Sequence, residues 1–330
     1  MRAVVLVGGL GTRLRPLTDT IPKQMLPIVN RPMIERVLEH LAGYGVDQAV
    51  LALGFKPDAF RDAYPDGSCG GVQVHYAIES EPLDTAGAVR FAVNEAGFDD
   101  DRVVVVNGDV LTDLDLGALV AFHERSNAEA TIALHRVDDP SRYGVVPTDE
   151  HGRVLAFVEK PTGEAPTNLI NAGTYVLEPS AVARIELGRR VSIERETFPA
   201  LVADATLYAL DGDAYWIDAG TPETYLQAQL DLLDGVRGAP EPGIGDGASV
   251  AESARVTRSA IGRGVTVHDG AVVESSVVMT GSVVGPGAVV RSSIVGRGAV
   301  MGADVCIDQL SVIGDGEIID DGTAYHAAKV

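Results

Sequence analysis

Residues 7–23 read VGGLGTRLRPLTDTIPK: three glycines, two arginines, a lysine and two prolines in one stretch. They follow Ala3-Val4-Val5-Leu6-Val7, an unbroken apolar run of the kind that forms a buried strand. Glycines just past a strand let the backbone turn sharply or approach a ligand closely. Within residues 1–31 the cations are Arg2, Arg13, Arg15, Lys23 and Arg31, and Asp19 is the only acid, although the whole chain carries a formal charge of −21. A loop of this kind suits an anionic ligand, above all a phosphate group. Two familiar phosphate loops do not match. No glycine precedes a Lys-Ser/Thr pair, as a P-loop requires, and Leu14 stands where the dinucleotide fingerprint needs its third glycine.

Other residue types narrow the field. The 330 residues include 22 arginines but only four lysines, Lys23, Lys56, Lys160 and Lys329, and both Lys23 and Lys160 border a proline in a loop. Cys69 and Cys306 have neither disulfide-framework nor metal-ligand spacing, which points to packed thiols in a reducing compartment. The acidic balance disfavours nucleic acid and anionic membranes as partners. No stretch is long and apolar enough to span a bilayer, and no signal-peptide pattern opens the chain, so a cytoplasmic location is expected.

The elements that must position these residues change character along the chain. Up to residue 234, apolar runs (3–7, 48–53, 72–78, 102–106, 130–135) alternate with helical patterns near 33–44, 85–96 and 115–126. That alternation predicts an α/β domain with a mostly parallel, Rossmann-like sheet, in which ligands bind beyond the carboxyl ends of the strands. From residue 235 to 330 helical periodicity disappears. Segments of 17 residues start at 244 (IGDGASVAESARVTRSA), 261, 278 and 295, with a further, incomplete unit from 312, and aliphatics recur every six residues inside them. Three short strands per coil around a shared apolar interior make a parallel β-helix. His268 and His326 show no evident partner there.

The loop reads G-G-x-G-T-R-L-x-P-L-T followed by P-K, and in this it resembles the signature of the nucleoside-diphosphate-sugar pyrophosphorylases. Asn107-Gly108-Asp109, FVEKP at 157–161, NAG at 171–173 and WIDAGTP at 216–222 extend the resemblance along the chain. SIERETFPAL at 192–201 and the short tail are similar to the mannose-1-phosphate guanylyltransferase branch in particular. The resemblance implies a catalytic domain over 1–234 and a left-handed hexapeptide β-helix over 235–330. It also implies transfer of a nucleotidyl group from a nucleoside triphosphate to a sugar 1-phosphate, with GTP and mannose 1-phosphate as the expected pair.

On this reading Gly8, Gly9, Gly11 and Thr12 cradle phosphates through backbone N–H groups, and Arg13 clamps the β- and γ-phosphates with its planar fork. Lys23 sits between the α-phosphate and the attacking phosphate. Glu81, Thr85 and Gly87 face the base. Gly144, Glu159, Lys160, Asn171 and Gly173 hold the sugar phosphate. Asp109 and Asp218 match the family's metal carboxylates, and Mg²⁺ suits such oxygens. The tail reads as an assembly and stability module, since exposed coil faces commonly stack against other subunits, so a homo-oligomer is expected.

Two positions depart from the pattern. Guanylyltransferases read P-K-P where this chain has Pro22-Lys23-Gln24, and K-Q resembles glucose-1-phosphate thymidylyltransferases; their E-P-L-G-T-A-G carries Asp84 here in place of glycine. A carboxylate there either favours the donors of guanine or disturbs the turn. Thymidylyl, adenylyl or guanylyl transfer to glucose 1-phosphate, or to another hexose or cyclitol phosphate, fits the same motifs. A silent sugar-nucleotide sensor and a β-helix acyltransferase are the readings from other classes.

Overall fold

The structure, a computed structural model, describes residues 1–54 and 57–330. Lys56 lies outside the described residues. The apolar runs become β1 (Arg2–Leu6), β2 (Gln48–Leu53), β3 (Val72–Ile78), β4 (Val103–Asn107) and β5 (Ala130–Arg136), and two strands outside those runs, β6 (Leu169–Leu177) and β7 (Leu207–Asp211), join them. The helical stripes become α1 (Met33–Gly43), α2 (Asp84–Ala96) and α3 (Leu116–Ser126). In α1 the stripe Ile34, Val37, Leu38 and Leu41 is buried, as a one-sided apolar helix requires.

Two compact units result, Met1–Gly9 with Glu35–Trp216 and Leu10–Ile34 with Ile217–Val330. In the first, β1 lies between β2 and β4, parallel to both, and β3 is parallel to β2. β6 then pairs antiparallel with β4 on one side and with β5 on the other, and β7 joins β5 in parallel. Val4, Val50, Val105 and Ile132 from the strands pack with Val89 and Val93 of α2 in one core. The parallel centre is buried on both faces, which is why its strands read as continuous valine runs.

In the second unit the repeats form three parallel sheets, each coil stacking on the next. Val267, Val284, Met301 and Ile319 stack on one interior face, Val273, Val290 and Ile307 on the next, and Ile261, Val278, Val295 and Ile313 on the third. Buried serines tie one corner together: Ser276 N donates to Ser259 Oγ, Ser293 N to Ser276 Oγ and Ala328 N to Ser311 Oγ, each at 3.1 Å.

The 17-residue period slips once. Val295 pairs with Ile313, not Val312, so that coil is one residue longer. At the equivalent corners Ser275 and Ser292 each supply one left-handed residue, whereas here Gln309 and Leu310 both adopt positive φ. The extra residue is absorbed at a corner, outside the strand ladder, and the aliphatics stay inside. The structure also corrects the reading of His326. Its Nδ1 lies 2.6 Å from Asp308 Oδ1, because the register sets these two residues side by side on successive coils.

Candidate active site

In the first unit, the ends of β1 and β4 bring two motifs together. Leu6 is in register with Asn107, and Gly108 N donates to Leu6 O at 2.9 Å, so Gly8, Gly9 and Asp109 all emerge at the carboxyl edge of adjacent parallel strands. Gly9 has φ +95°, a conformation that side chains rarely tolerate, and among the described residues no heavy atom beyond the adjoining ones lies within 4 Å of where a Cβ would stand on Gly8 or Gly9.

A third motif closes on the second. Gly173, at φ +74°, lies so near Asn107 that a Cβ there would stand 2.5 Å from its Nδ2. The NAG run makes an irregularity in the pairing of β6 with β5 between Asn171 and Tyr175. Asn171 Oδ1 accepts from Gly173 N and its Nδ2 donates to Tyr175 Oη, both at 2.9 Å. One donor and one acceptor of Asn171 are thus already engaged in shaping the turn.

Gly144 and Glu159 are cross-strand partners, and the glycine leaves room for the Phe157 ring and the Glu159 carboxylate. Lys160 Nζ pairs with Glu159 Oε1 at 3.0 Å; the lysine side chain is 63% exposed and the glutamate 23%. Beside them stands an aromatic group that motif matching did not assign. His135 stacks on Trp216 with centroids 5.2 Å apart, Tyr143 meets the indole edge-on, and Trp216 Nε1 donates to Ala172 O at 2.8 Å. The hydrogen bond joins the WIDAGTP and NAG motifs directly.

The EPLDTAG stretch opens α2. Asp84 adopts φ +60°, the left-handed conformation that glycine takes freely and aspartate better than most residues, and its Oδ1 accepts from Thr85 N at 2.9 Å. The carboxylate therefore replaces glycine without breaking the turn. Thr85 Oγ1 donates to Glu194 Oε2 and accepts from Ile193 N, each at 2.8 Å, while a Cβ on Gly87 would meet Arg189 O at 2.6 Å. The SIERETF segment is thus the seat of this loop, and Thr85 and Gly87 serve that docking. Glu81 is exposed at the loop's start.

In the second unit the first loop runs through short turns at Thr12–Leu14, Leu17–Asp19 and Lys23–Met25, pinned by buried Leu14, Leu17 and Leu26. Gly11, at φ +61°, packs on Thr18, whose Oγ1 donates to Gly11 O at 2.9 Å. Thr12 and Arg13 are exposed and Lys23 is half-buried. Arg15 pairs with Asp19 at 3.1 Å on the exposed side.

Arg13 and Asp218 converge at one point. A Cβ on Gly220 would stand 2.7 Å from a terminal guanidinium nitrogen of Arg13 and 2.7 Å from Asp218 Oδ1, and Gly220 N donates to that same oxygen at 2.9 Å. The loop's far end is held by α4 (Pro222–Leu233), whose start carries a Thr221/Thr224 capping box. Tyr225 Oη and Gln229 Nε2 donate to Pro27 O, and Gln229 Oε1 accepts from Val29 N at 2.7 Å.

Among the described residues no three His, Cys, Asp or Glu side chains are grouped to hold a metal by themselves. Asp109 in the first unit and Asp218 in the second are each a hard oxygen donor, the ligand type that suits a divalent cation whose shell is otherwise completed by water and substrate phosphate oxygens.

A nucleotidyl transferase family model matches residues 2–235, and a model described as the GMPPB C-terminal domain matches residues 240–330. The chain belongs to the nucleotidyl transferase family. Enzymes of this family generally use a divalent metal. The chain is 44% identical over 262 residues to the mannose-1-phosphate guanylyltransferase of Mycobacterium tuberculosis, covering 76% of this chain and 72% of that one. It is 45% identical over 231 residues to the mannose-1-phosphate guanyltransferase of Emericella nidulans, covering 68% of this chain and 62% of that protein, somewhat under two thirds of its length. Among solved structures, HddC from Yersinia pseudotuberculosis superposes with a TM-score of 0.59 at 33% identity, over 69% of this chain and 97% of that one. The same protein in complex with GMP-PN gives 0.58. A Bacillus anthracis glucose-1-phosphate thymidylyltransferase structure, at 23% identity and a TM-score of 0.62, shares the fold.

Proposed function

We propose that this nucleotidyltransferase joins GTP and mannose 1-phosphate into GDP-mannose and pyrophosphate. A phosphate oxygen of the sugar phosphate attacks the α-phosphorus of GTP, and the bond to the β-phosphate bridging oxygen breaks with its electron pair leaving on pyrophosphate. The attacking group is already largely ionised, since a phosphomonoester has a second pKa of about 6, so no general base is required.

What the protein must supply is positioned positive charge. On our reading Gly8, Gly9, Gly11 and Thr12 receive the triphosphate, Arg13 neutralises its β- and γ-phosphates, and Lys23 serves the α-phosphate and its attacker. Glu81, on the loop that Thr85 and Gly87 anchor against residues 189–194, faces the base, and Gly144, Glu159, Lys160, Asn171 and Gly173 face the sugar phosphate. Asp109 and Asp218 would hold Mg²⁺, which when bound offsets charge gathering on the phosphate oxygens.

The observation that carries nucleotidyl transfer is the meeting of Arg13 and Asp218 over Gly220, a cation for phosphate beside a carboxylate for a metal. The choice of GTP and mannose 1-phosphate is supported by the names of the relatives at 44–45% identity and by Asp84 fitting its turn. A cytoplasmic homo-oligomer, with residues 1–234 as its catalytic domain and 235–330 as its tail, belongs to the same proposal. No helix among the described residues is long and apolar enough to cross a membrane.

The test is pyrophosphate release with Mg²⁺, crossing GTP, dTTP, ATP and UTP with mannose and glucose 1-phosphates. Release confined to GTP with mannose 1-phosphate is expected. A preference for dTTP and glucose 1-phosphate would show that Gln24 was the better guide to the base.

A further inference from the structure

The front of the cationic loop is braced by the last coils of the β-helix, within the second unit. Lys329 Nζ donates to Arg13 O at 2.9 Å. Thr20 Oγ1 donates to Asp315 Oδ2 at 2.5 Å and accepts from a terminal nitrogen of Arg297 at 2.8 Å. Arg297 also grips Asp315 with Nε at 3.1 Å, with the same terminal nitrogen at 2.6 Å, and through its own backbone N–H at 2.7 Å. Burial alone would raise the Asp315 carboxyl, but the hydrogen bonds from Arg297 and Thr20 outweigh it and hold the group below the usual carboxylate range. Between these points a Cβ on Gly314 would stand 3.3 Å from the Pro16 ring.

The segment bearing Lys329 is itself zipped to the coil. Val312 N donates to Ala328 O, Val330 N to Val312 O and Gly314 N to Val330 O, at 2.7–3.0 Å. A rigid coil thus presents an ammonium to one peptide carbonyl of a loop. That carbonyl belongs to Arg13. Holding that carbonyl restrains one of the two peptide planes that meet at the Arg13 Cα, from which the side chain leaves toward Gly220.

We propose that Lys329, with the Arg297–Asp315–Thr20 cluster, acts as a positioning device for the phosphate-binding loop, so that the β-helix helps to set nucleotide affinity. The inference rests on the reading that this loop receives the triphosphate. Ordering the loop in advance lowers the entropy lost when phosphate binds.

The experiment uses full-length protein carrying Lys329→Met, Lys329→Arg or Thr20→Val. It measures KM for GTP and for mannose 1-phosphate, Tm, and amide hydrogen exchange across residues 11–20 without nucleotide. Lys329→Met is expected to speed exchange in the loop and raise KM for GTP about fivefold, the scale of one hydrogen bond. KM for mannose 1-phosphate should stay within about twofold and Tm within about 2 °C. Thr20→Val should act in the same direction, and Lys329→Arg should restore both readouts. Unchanged loop exchange and GTP affinity in Lys329→Met and Thr20→Val overturn the inference, as does a rise of both KM values together. A wild-type protein that releases no pyrophosphate with any nucleotide would sink the functional reading instead; loop exchange in the free protein then decides the bracing alone, and unchanged exchange overturns it.

Discussion

Gly220 is a glycine because two functional groups occupy the space its side chain would fill. Both are tips of side chains, so Gly220→Ala should move them at little cost in stability. Displacing charged groups by about 1 Å can cost 10²-fold in turnover, so kcat/KM should fall by about that factor while the melting temperature stays near wild type. Wild-type kcat/KM in Gly220→Ala would show that Arg13 and Asp218 act independently of this contact. Lys23→Ala and Asp109→Ala should each lower turnover about 10²-fold or more, the scale of one preorganised charge stabiliser, and near-normal rates in both would remove them from the site. Gln24 behaves differently. Its amide is buried beside Lys23, with neither Nε2 nor Oε1 hydrogen-bonded among the described residues. An unmet buried polar atom costs about 1–3 kcal/mol, so Gln24→Met should raise the denaturation midpoint; a lower midpoint would mean the amide has a partner in solution. The sequence marked Gln24 as unusual but could not show it buried.

At the scale of elements, α3 and its neighbours carry a pH-sensitive joint in the first unit. His123 is buried, with Nδ1 2.8 Å from Thr131 Oγ1 and Nε2 3.0 Å from Glu178 Oε1. Burial lowers the imidazole below its ordinary value of 6.5, and the Glu178 carboxylate offsets only part of that effect. Arg102 approaches the same carboxylate at 2.6 Å. Below pH 6.5 the unfolded chain therefore takes up the proton more readily than the folded one, and stability falls as pH drops from that value toward the lower folded pKa. Urea midpoints between pH 7.5 and 5.5 should decline in the wild type and flatten in His123→Gln, which can keep hydrogen bonds to both partners. Equal declines in the two would assign the acid sensitivity elsewhere. Helix α3 and strand β5 at this joint were readable from periodicity, whereas β6, antiparallel to both its neighbours, lay outside the apolar runs. The joint itself was not readable, because Thr131 and Glu178 meet His123 only through the pairing of β5 with β6.

For the molecule as a whole, the repeat tail has a second part to play beside the assembly and stability role its pattern suggests. Residues 10–34 pack in one unit with residues 217–330, and Asn30, Thr20 and Arg13 all take hydrogen bonds with the β-helix. A chain ending at residue 239 should therefore lose more than a change of subunit number. We expect KM for GTP to rise at least about tenfold in such a truncation, with circular dichroism confirming that the remaining α/β unit is folded. A truncated protein with wild-type GTP affinity, whatever its size by gel filtration, would return the tail to a purely assembling role.

The sequence by itself determined the alternation of strand and helix, the β-helix and the motifs of the family, because each is written in local periodicity or in short runs of residues. It also marked Arg13, Asp109 and Asp218 individually. Only the tertiary structure decided which of these meet: Gly173 against Asn107, Trp216 on Ala172, Arg13 with Asp218 over Gly220, and Lys329 on the Arg13 carbonyl. Those contacts join residues from 44 to 316 positions apart, and no local pattern encodes them. The one-residue slip at Gln309–Leu310 makes the same point at small scale. A repeat predicts where aliphatics recur, but backbone packing at a corner decides which side of the chain absorbs an extra residue.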